Sequence, residues 1–155
     1  NNQTNTKESN YNLSEQLSQS LLDMENLWES KNIGIEFNVE DNVYINSDEE
    51  LMKIVWANLF SNAIKFTPSG GVITVNLVKH ADKIVVSVAD TGCGMNEETK
   101  AHIFEKFYQG DTSHSEKGNG LGLSLVKRII DLTNNEISVE SELGQGTVFM
   151  VTLNN

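Results

Sequence analysis

The sequence predicts an α/β fold: a two-layer sandwich in which one mixed, mainly antiparallel sheet carries helices over one face. Three observations point there. Apolar residues recur three and four apart, the helical period, at about 12–31, again after Ser47, and at 121–132. Runs with the two-residue period of half-buried strands, or rich in β-branched residues, lie between them at 33–39, 72–78, 83–89, 136–141 and 147–153. Short polar links join 72–78 to 83–89 and 136–141 to 147–153, which reads as two antiparallel hairpins.

Residues 1–11 offer almost nothing to bury and read as a linker or fraying terminus, leaving 12–155 as the domain. Leu13, Leu17, Leu21, Met24, Leu27 and Trp28 form the stripe of one amphipathic helix, about 12–31. Ile33, Ile35, Phe37 and Val39 alternate as a strand, and Val43–Ile45 is a second after the turn at Asp41 and Asn42. Ser47 or Asp48 caps the next helix, with Glu49 and Glu50 suited to its positive first turn. Its inward set reads as Leu51, Ile54, Val55, Leu59 and Ala63, and it stops before Pro68-Ser69-Gly70-Gly71. Asn96 starts a short helix reaching to about Phe107. Gln109 to Gly120 is polar and glycine-containing, a loop. Leu121 to Leu132 is a helix with Leu121, Leu125, Val126, Ile129 and Ile130 inward.

A chain of 155 residues suits one domain with a real core. Apolar content is 38% and there is one proline, so the chain reads as soluble and globular. No window approaches the roughly 18 consecutive apolar residues of a membrane span, and Asn1 to Asn12 has no signal-peptide pattern. A piece of a longer membrane protein remains compatible with this composition. The net charge of −11 argues against nucleic acid as a partner. It also repels anionic ligands at long range, so any phosphate site must work locally through a metal ion, a few cations and backbone N–H groups. The single cysteine, Cys93, cannot form an internal disulfide and fits a reducing compartment.

Four constellations carry chemistry. Asn58, Asn62 and Lys65 lie four and seven apart, on one polar helical stripe. Amide oxygens can ligate Mg²⁺ and a lysine can meet a phosphate; a solvated helix face fits the stripe too. Asp90-Thr91-Gly92-Cys93-Gly94 follows a strong strand. There a carboxylate can accept from an exocyclic amine while glycines let the backbone approach a flat ligand; an ordinary strand-ending turn is the alternative. Gly118-Asn119-Gly120-Leu121-Gly122-Leu123 runs into a helix, as phosphate cradles do, and as flexible loops also do. Gly144-Gln145-Gly146-Thr147 alone is a hairpin turn, with a Thr147 hydroxyl that could meet a water or a base.

Together, in this order, the motifs resemble the ATP-binding catalytic domain of sensor histidine kinases. Asn58-Leu59-Phe60-Ser61-Asn62-Ala63-Ile64-Lys65-Phe66-Thr67-Pro68 resembles the N box, and Asp90 to Met95 the first G box. Ile103-Phe104-Glu105-Lys106-Phe107-Tyr108 resembles the F box, Gly118 to Leu123 the second G box, and Gly144 to Thr147 the short G-T element. The resemblance covers about 12–155 and implies the GHKL superfamily with its Bergerat-type ATP-binding fold. It implies Mg²⁺ on Asn62, with Asn58 beside the phosphates or the metal and Lys65 on a phosphate. It implies the adenine amine on Asp90, directly and through a water shared with Thr147, and a backbone at Gly92 and Gly94 curled against the base. Gln109 to Asn119 would be a lid hinged on Gly118, Gly120 and Gly122, with Tyr108 and Leu121 flanking it. Phe104 and Phe107 would anchor its base, or serve as plain core aromatics.

Two departures matter. Hydrolysing relatives carry a glutamate where this chain has Asn58, and an amide cannot take a proton from water at neutral pH. Many histidine kinases have arginine where this chain has Gln109, so another cation such as Lys106 or Lys117 compensates or the γ-phosphate is held less firmly. None of His80, His102 and His114 lies in a phosphoacceptor pattern. The expected substrate is therefore a histidine in a separate dimerisation and phosphoacceptor domain, with a response regulator downstream. The expected setting is a cytoplasmic, monomeric domain of a membrane-anchored parent. The competing readings are a non-catalytic nucleotide-gated interaction module and a serine-kinase anti-sigma regulator of the same superfamily.

Overall fold

The computed structural model describes residues 6–106 and 122–154. In chain order the elements are β1 (Glu8–Asn12), α1 (Leu13–Leu22), α2 (Glu25–Ser30), β2 (Gly34–Asn38), β3 (Tyr44–Asp48) and α3 (Glu49–Phe66). They continue with β4 (Val72–His80), β5 (Lys83–Asp90), α4 (Glu97–His102), α5 (Gly122–Leu132), β6 (Glu136–Glu142) and β7 (Gly146–Asn154). Five strands form one sheet in the order β2-β4-β5-β7-β6. Only the β2–β4 pair is parallel; the other three are antiparallel, two of them the expected hairpins. A separate two-stranded ribbon, β1–β3, completes the fold.

The core lies between the inner face of the sheet and the helices. Ile73, Val75, Val86, Val88, Phe149 and Val151 point inward at alternate positions and are almost wholly buried. Leu13 and Leu17 of α1, Val55, Leu59 and Ala63 of α3, and Val126, Ile129 and Ile130 of α5 cover them. Burying each of these Val, Leu, Ile and Phe side chains stabilises by roughly 1.5–3 kcal/mol.

The long helix α3 positions the site, and both its ends are pinned. At its start Asp48 Oδ1 accepts from the Leu51 N–H (3.0 Å), and Glu49 and Glu50 occupy the positive first turn. At its end the last carbonyls would be orphaned. Lys31 Nζ donates to the carbonyls of Ile64 (2.8 Å) and Lys65 (3.1 Å), while the Thr67 hydroxyl donates to Ala63 (2.7 Å). A buried hydrogen bond from Trp56 Nε1 to Gln16 Oε1 (2.8 Å) ties α3 to α1.

Several expectations need correction. Residues 8–11 are not linker: they pair with β3, and Tyr11 is buried. The helix expected over 12–31 breaks at Asp23 and Met24 into α1 and α2. The inward face of α3 is rotated and wider than expected. Met52, Trp56 and Phe60 are fully buried, whereas Ile54 is exposed and Leu51 half-buried, because α3 is covered from two sides, by α1 and by α5. Leu125 of α5 is likewise exposed. The helix α4 ends at His102, five residues before Phe107. Among the described residues, no helix is long and apolar enough to cross a membrane.

Candidate functional site

A cavity of about 400 Å³ opens between the C-terminal half of α3, the end of β5, the loop after it, α4 and the β6–β7 turn. Asn62 and Phe66 line it from α3, Asp90 from β5, and Cys93, Gly94, Met95 and Asn96 from the loop. Thr99, Ile103, Leu143, Gly144, Thr147 and Phe149 complete the wall. Most of this surface is apolar, with an acid at the end of β5 and an amide on the helix. Such a slot suits a flat, largely apolar ring bearing an amine, with a polar extension leaving past Asn62.

Among the described residues, Asp90 is the one buried carboxylate lining the cavity. It is 9% exposed, and its Oδ1 accepts from the Gly92 N–H (2.8 Å). Burial pushes its carboxyl above the usual aspartate range; the N–H groups of Gly92 and Thr147 act against that push without cancelling it. Asp90 and Thr147 are directly opposite in the β5–β7 ladder, so the sheet register sets acid and hydroxyl side by side. Thr147 in turn is tied to Ser141 of β6, Oγ to Oγ1 at 2.9 Å. The Ser141 hydroxyl also accepts from the Met95 N–H (2.8 Å) and donates to the Gly146 carbonyl (2.9 Å).

Packing within the protein requires the glycines of the loop. A Cβ on Gly92 would collide with the Phe66 carbonyl at the end of α3. Gly94 has φ +72° and a Cβ there would collide with the Glu142 carbonyl. The loop is thus wedged between α3 and the β6–β7 turn.

Of the residues singled out from sequence, the structure brings Asn62, Asp90, Gly94 and Thr147 together around the cavity, with Gly92 between Asp90 and α3. Asn58 stands apart from the cavity wall. Its Nδ2 donates to the Ile54 carbonyl (2.8 Å), and its Oδ1 lies 2.9 Å from where a Cβ on Gly122 would stand, so it marks the seam between α3 and α5. The Lys65 ammonium sits 5.5 Å from the centroid of the Phe66 ring, a cation–π contact with a cavity-lining side chain. Tyr108, Gly118, Gly120, Leu121 and the whole lid expected over Gln109–Asn119 lie outside the described residues. Phe104 meets Phe149 edge-on at 6.2 Å and so supports the cavity floor. Sequence reasoning missed Phe66, Met95, Thr99, Ile103 and Leu143 as wall, and Ser141 as the polar knot behind it. Apolar wall residues carry no signal distinct from core, and Ser141 reads as one polar position of a strand.

The donor set fits a magnesium ion that arrives with a triphosphate. Among the described residues no group of three His, Cys, Asp or Glu side chains could cage a metal. Asn62 offers a hard amide oxygen at the cavity edge, and Mg²⁺ commonly takes one or two protein ligands, phosphate oxygens and waters.

Comparison with known proteins shows the family and the fold. Residues 47–155 match the family described as histidine kinase-, DNA gyrase B- and HSP90-like ATPase. The chain is 43% identical over 124 residues to sporulation kinase C of Bacillus subtilis strain 168, covering 79% of this chain and 28% of that protein. It is 38% identical over 112 residues to the heme sensor protein HssS of Staphylococcus saprophyticus, covering 72% of this chain and 24% of that one. It thus spans about a quarter of the length of these relatives. The catalytic domain of histidine kinase ThkA superposes with a TM-score of 0.84 at 29% identity, over 96% of this chain and 97% of that one. ThkA in complex with the response regulator protein TrrA superposes with a TM-score of 0.79 at 28% identity, over 94% of this chain and 41% of that one. The chain belongs to the histidine kinase-, DNA gyrase B- and HSP90-like ATPase family, and its fold is that of a histidine kinase catalytic domain.

Proposed function

We propose that this chain binds Mg-ATP and passes the γ-phosphoryl group to a histidine on a separate dimerisation and phosphoacceptor domain of the same parent protein. The observation that carries this reading is the cavity itself, an apolar slot with the Asp90 carboxylate at the end of β5 and Asn62 at its edge. Asp90 accepts the adenine amine and Thr147 assists it. Asn62 holds the metal ion, which neutralises charge on the triphosphate when bound. Lys65 supplies a point charge to a phosphate after turning away from Phe66. Tyr108, Gly118, Gly120, Leu121 and Gly122 contribute to nucleotide binding, with Gln109–Asn119 as a lid hinged on the three glycines.

Asn58 favours transfer over hydrolysis. An amide cannot act as the general base that activates water, which disfavours hydrolysis and favours transfer to an external nucleophile. Phosphoryl transfer then rests on positioning and charge neutralisation. The ATP-binding unit is read as 12–155, with β1 paired onto it. The setting is a cytoplasmic domain, monomeric in isolation, of a membrane-anchored parent acting on a response regulator.

The test is to add the parent's helical acceptor domain in trans with γ-labelled ATP. Acid-labile, base-stable label on the acceptor histidine is expected. Acid-stable label on serine supports the anti-sigma type of kinase instead, and nucleotide binding without any label supports the interaction module.

A further inference from the structure

Behind the cavity lies a hydroxyl whose hydrogen bonds leave no freedom. Ser141 is 7% exposed and has three polar neighbours. The Met95 N–H at 2.8 Å can only donate to it, and the Gly146 carbonyl at 2.9 Å can only accept from it. A serine hydroxyl has one proton and two lone pairs. The proton goes to Gly146, and one lone pair takes Met95. The third neighbour, Thr147 Oγ1 at 2.9 Å, must therefore be the donor. The opposite assignment would set the Ser141 oxygen and the Gly146 carbonyl oxygen against each other with no hydrogen between them.

We propose that Ser141 is a positioning residue for nucleotide selection: it takes the Thr147 hydroxyl proton, leaves Thr147 facing the cavity as an acceptor only, and so favours 6-amino over 6-oxo purines. This rests on the reading of the cavity as a purine site. Both side-chain groups at the end of β5 and the start of β7 then accept, the Asp90 carboxylate and the Thr147 hydroxyl oxygen. A 6-amino group offers two N–H donors to such a pair. A 6-oxo group presents an acceptor to acceptors. Contact through one water gives the same preference. A water that donates to Thr147 has its other hydrogen for the unprotonated N1 of a 6-amino purine, whereas a 6-oxo purine carries a proton on N1. A buried polar group facing the wrong partner costs about 1–3 kcal/mol, enough to shape selectivity.

The experiment titrates the Mg complexes of ATP and inosine 5′-triphosphate into the wild-type chain, Ser141→Ala, Thr147→Val and the double variant, by calorimetry. The wild type is expected to prefer ATP. Ser141→Ala frees the Thr147 hydroxyl to donate, so the ATP-to-inosine preference should shrink about tenfold, or ~1.4 kcal/mol. Thr147→Val should weaken ATP more than the inosine nucleotide, and the double variant should match Thr147→Val alone. Equal weakening of both nucleotides by Ser141→Ala would mean a purely structural serine and would overturn the proposal. So would a larger penalty on the inosine nucleotide in Thr147→Val, which also decides the matter if Ser141→Ala does not fold. A wild-type chain that binds neither nucleotide overturns the purine reading itself, a different failure from an unmoved preference ratio.

Discussion

Gly94→Ala separates packing from backbone strain, because the same fold supplies its own control. Gly94 and Gly144 both have positive φ, +72° and +81°. An alanine in that region costs about 1–2 kcal/mol for the backbone alone. At Gly144 a Cβ would meet nothing within 4 Å, so the strain is the whole effect. At Gly94 the Cβ would overlap the Glu142 carbonyl oxygen and stand 2.8 Å from its carbon and 3.2 Å from the Gly146 carbonyl oxygen. These are backbone atoms in the β6–β7 turn, and they cannot swing aside as a flexible side chain would. Overpacking of this kind adds about 1–3 kcal/mol. A domain of this size loses about 2–4 °C of melting temperature per kcal/mol. Gly144→Ala should thus melt roughly 2–8 °C lower and Gly94→Ala roughly 4–20 °C lower on the same scale. Urea unfolding should rank the two variants in the same order. The loop from Gly92 to Met95 also moves in Gly94→Ala, so nucleotide affinity should fall there. Equal destabilisation by the two substitutions would refute the wedge between α3 and the β6–β7 turn.

Three further outcomes are expected. The Asp90 carboxyl ionises above the ordinary aspartate value of 3.8, chiefly through burial. Since protonation turns one acceptor oxygen into an O–H donor, ATP affinity relative to Asp90→Asn should fall as pH drops through the raised value; a ratio independent of pH contradicts this. For folding the sign is reversed: the group's contribution is present below 3.8 and lost as pH rises through its folded value. Gln16→Leu leaves the Trp56 indole N–H and the Glu49 carbonyl without the partners they have at 2.8 and 2.9 Å. It should destabilise by about 1–3 kcal/mol, read as a lower urea midpoint with an unchanged slope. Asp48→Ala removes the cap on Leu51 and the contact from the Lys7 N–H (2.8 Å). The loss should be about 1 kcal/mol, and a midpoint equal to wild type would show the cap to be idle.

The polar stripe of α3, its Asp48 cap and the acid at the end of β5 were legible because each depends on local spacing or on one residue type at an element's end. The hairpins were legible for the same reason. The strand β1 was not. Its sequence, Glu8-Ser9-Asn10-Tyr11-Asn12, buries one large side chain, and pairing with β3 satisfies its backbone through partners 30 to 40 positions away. Composition carries no trace of that. The break between α1 and α2 falls at Asp23 and Met24 without glycine or proline to announce it. The inward face of α3 was misjudged because its two flanks meet different neighbours, so Trp56 and Phe60 are buried beyond any single amphipathic stripe. At the site, Asp90 and Thr147 are 57 positions apart and meet through sheet register. Ser141 gains its meaning only from three partners that the strand order assembles.

The most direct measurement is calorimetric binding of Mg-ATP to the wild-type chain and to Asp90→Asn. With the Asn oxygen kept by the Gly92 N–H, the other side-chain position, an acceptor oxygen in Asp90, becomes an NH₂ that sets donor against donor at the adenine amine. Loss of a hydrogen bond to a charged group costs about 1.5–3 kcal/mol, so binding should weaken roughly 10- to 150-fold by the same arithmetic. Affinity within twofold of wild type, with Asp90→Asn folded as judged by its melt, would contradict the assignment of this cavity to the base.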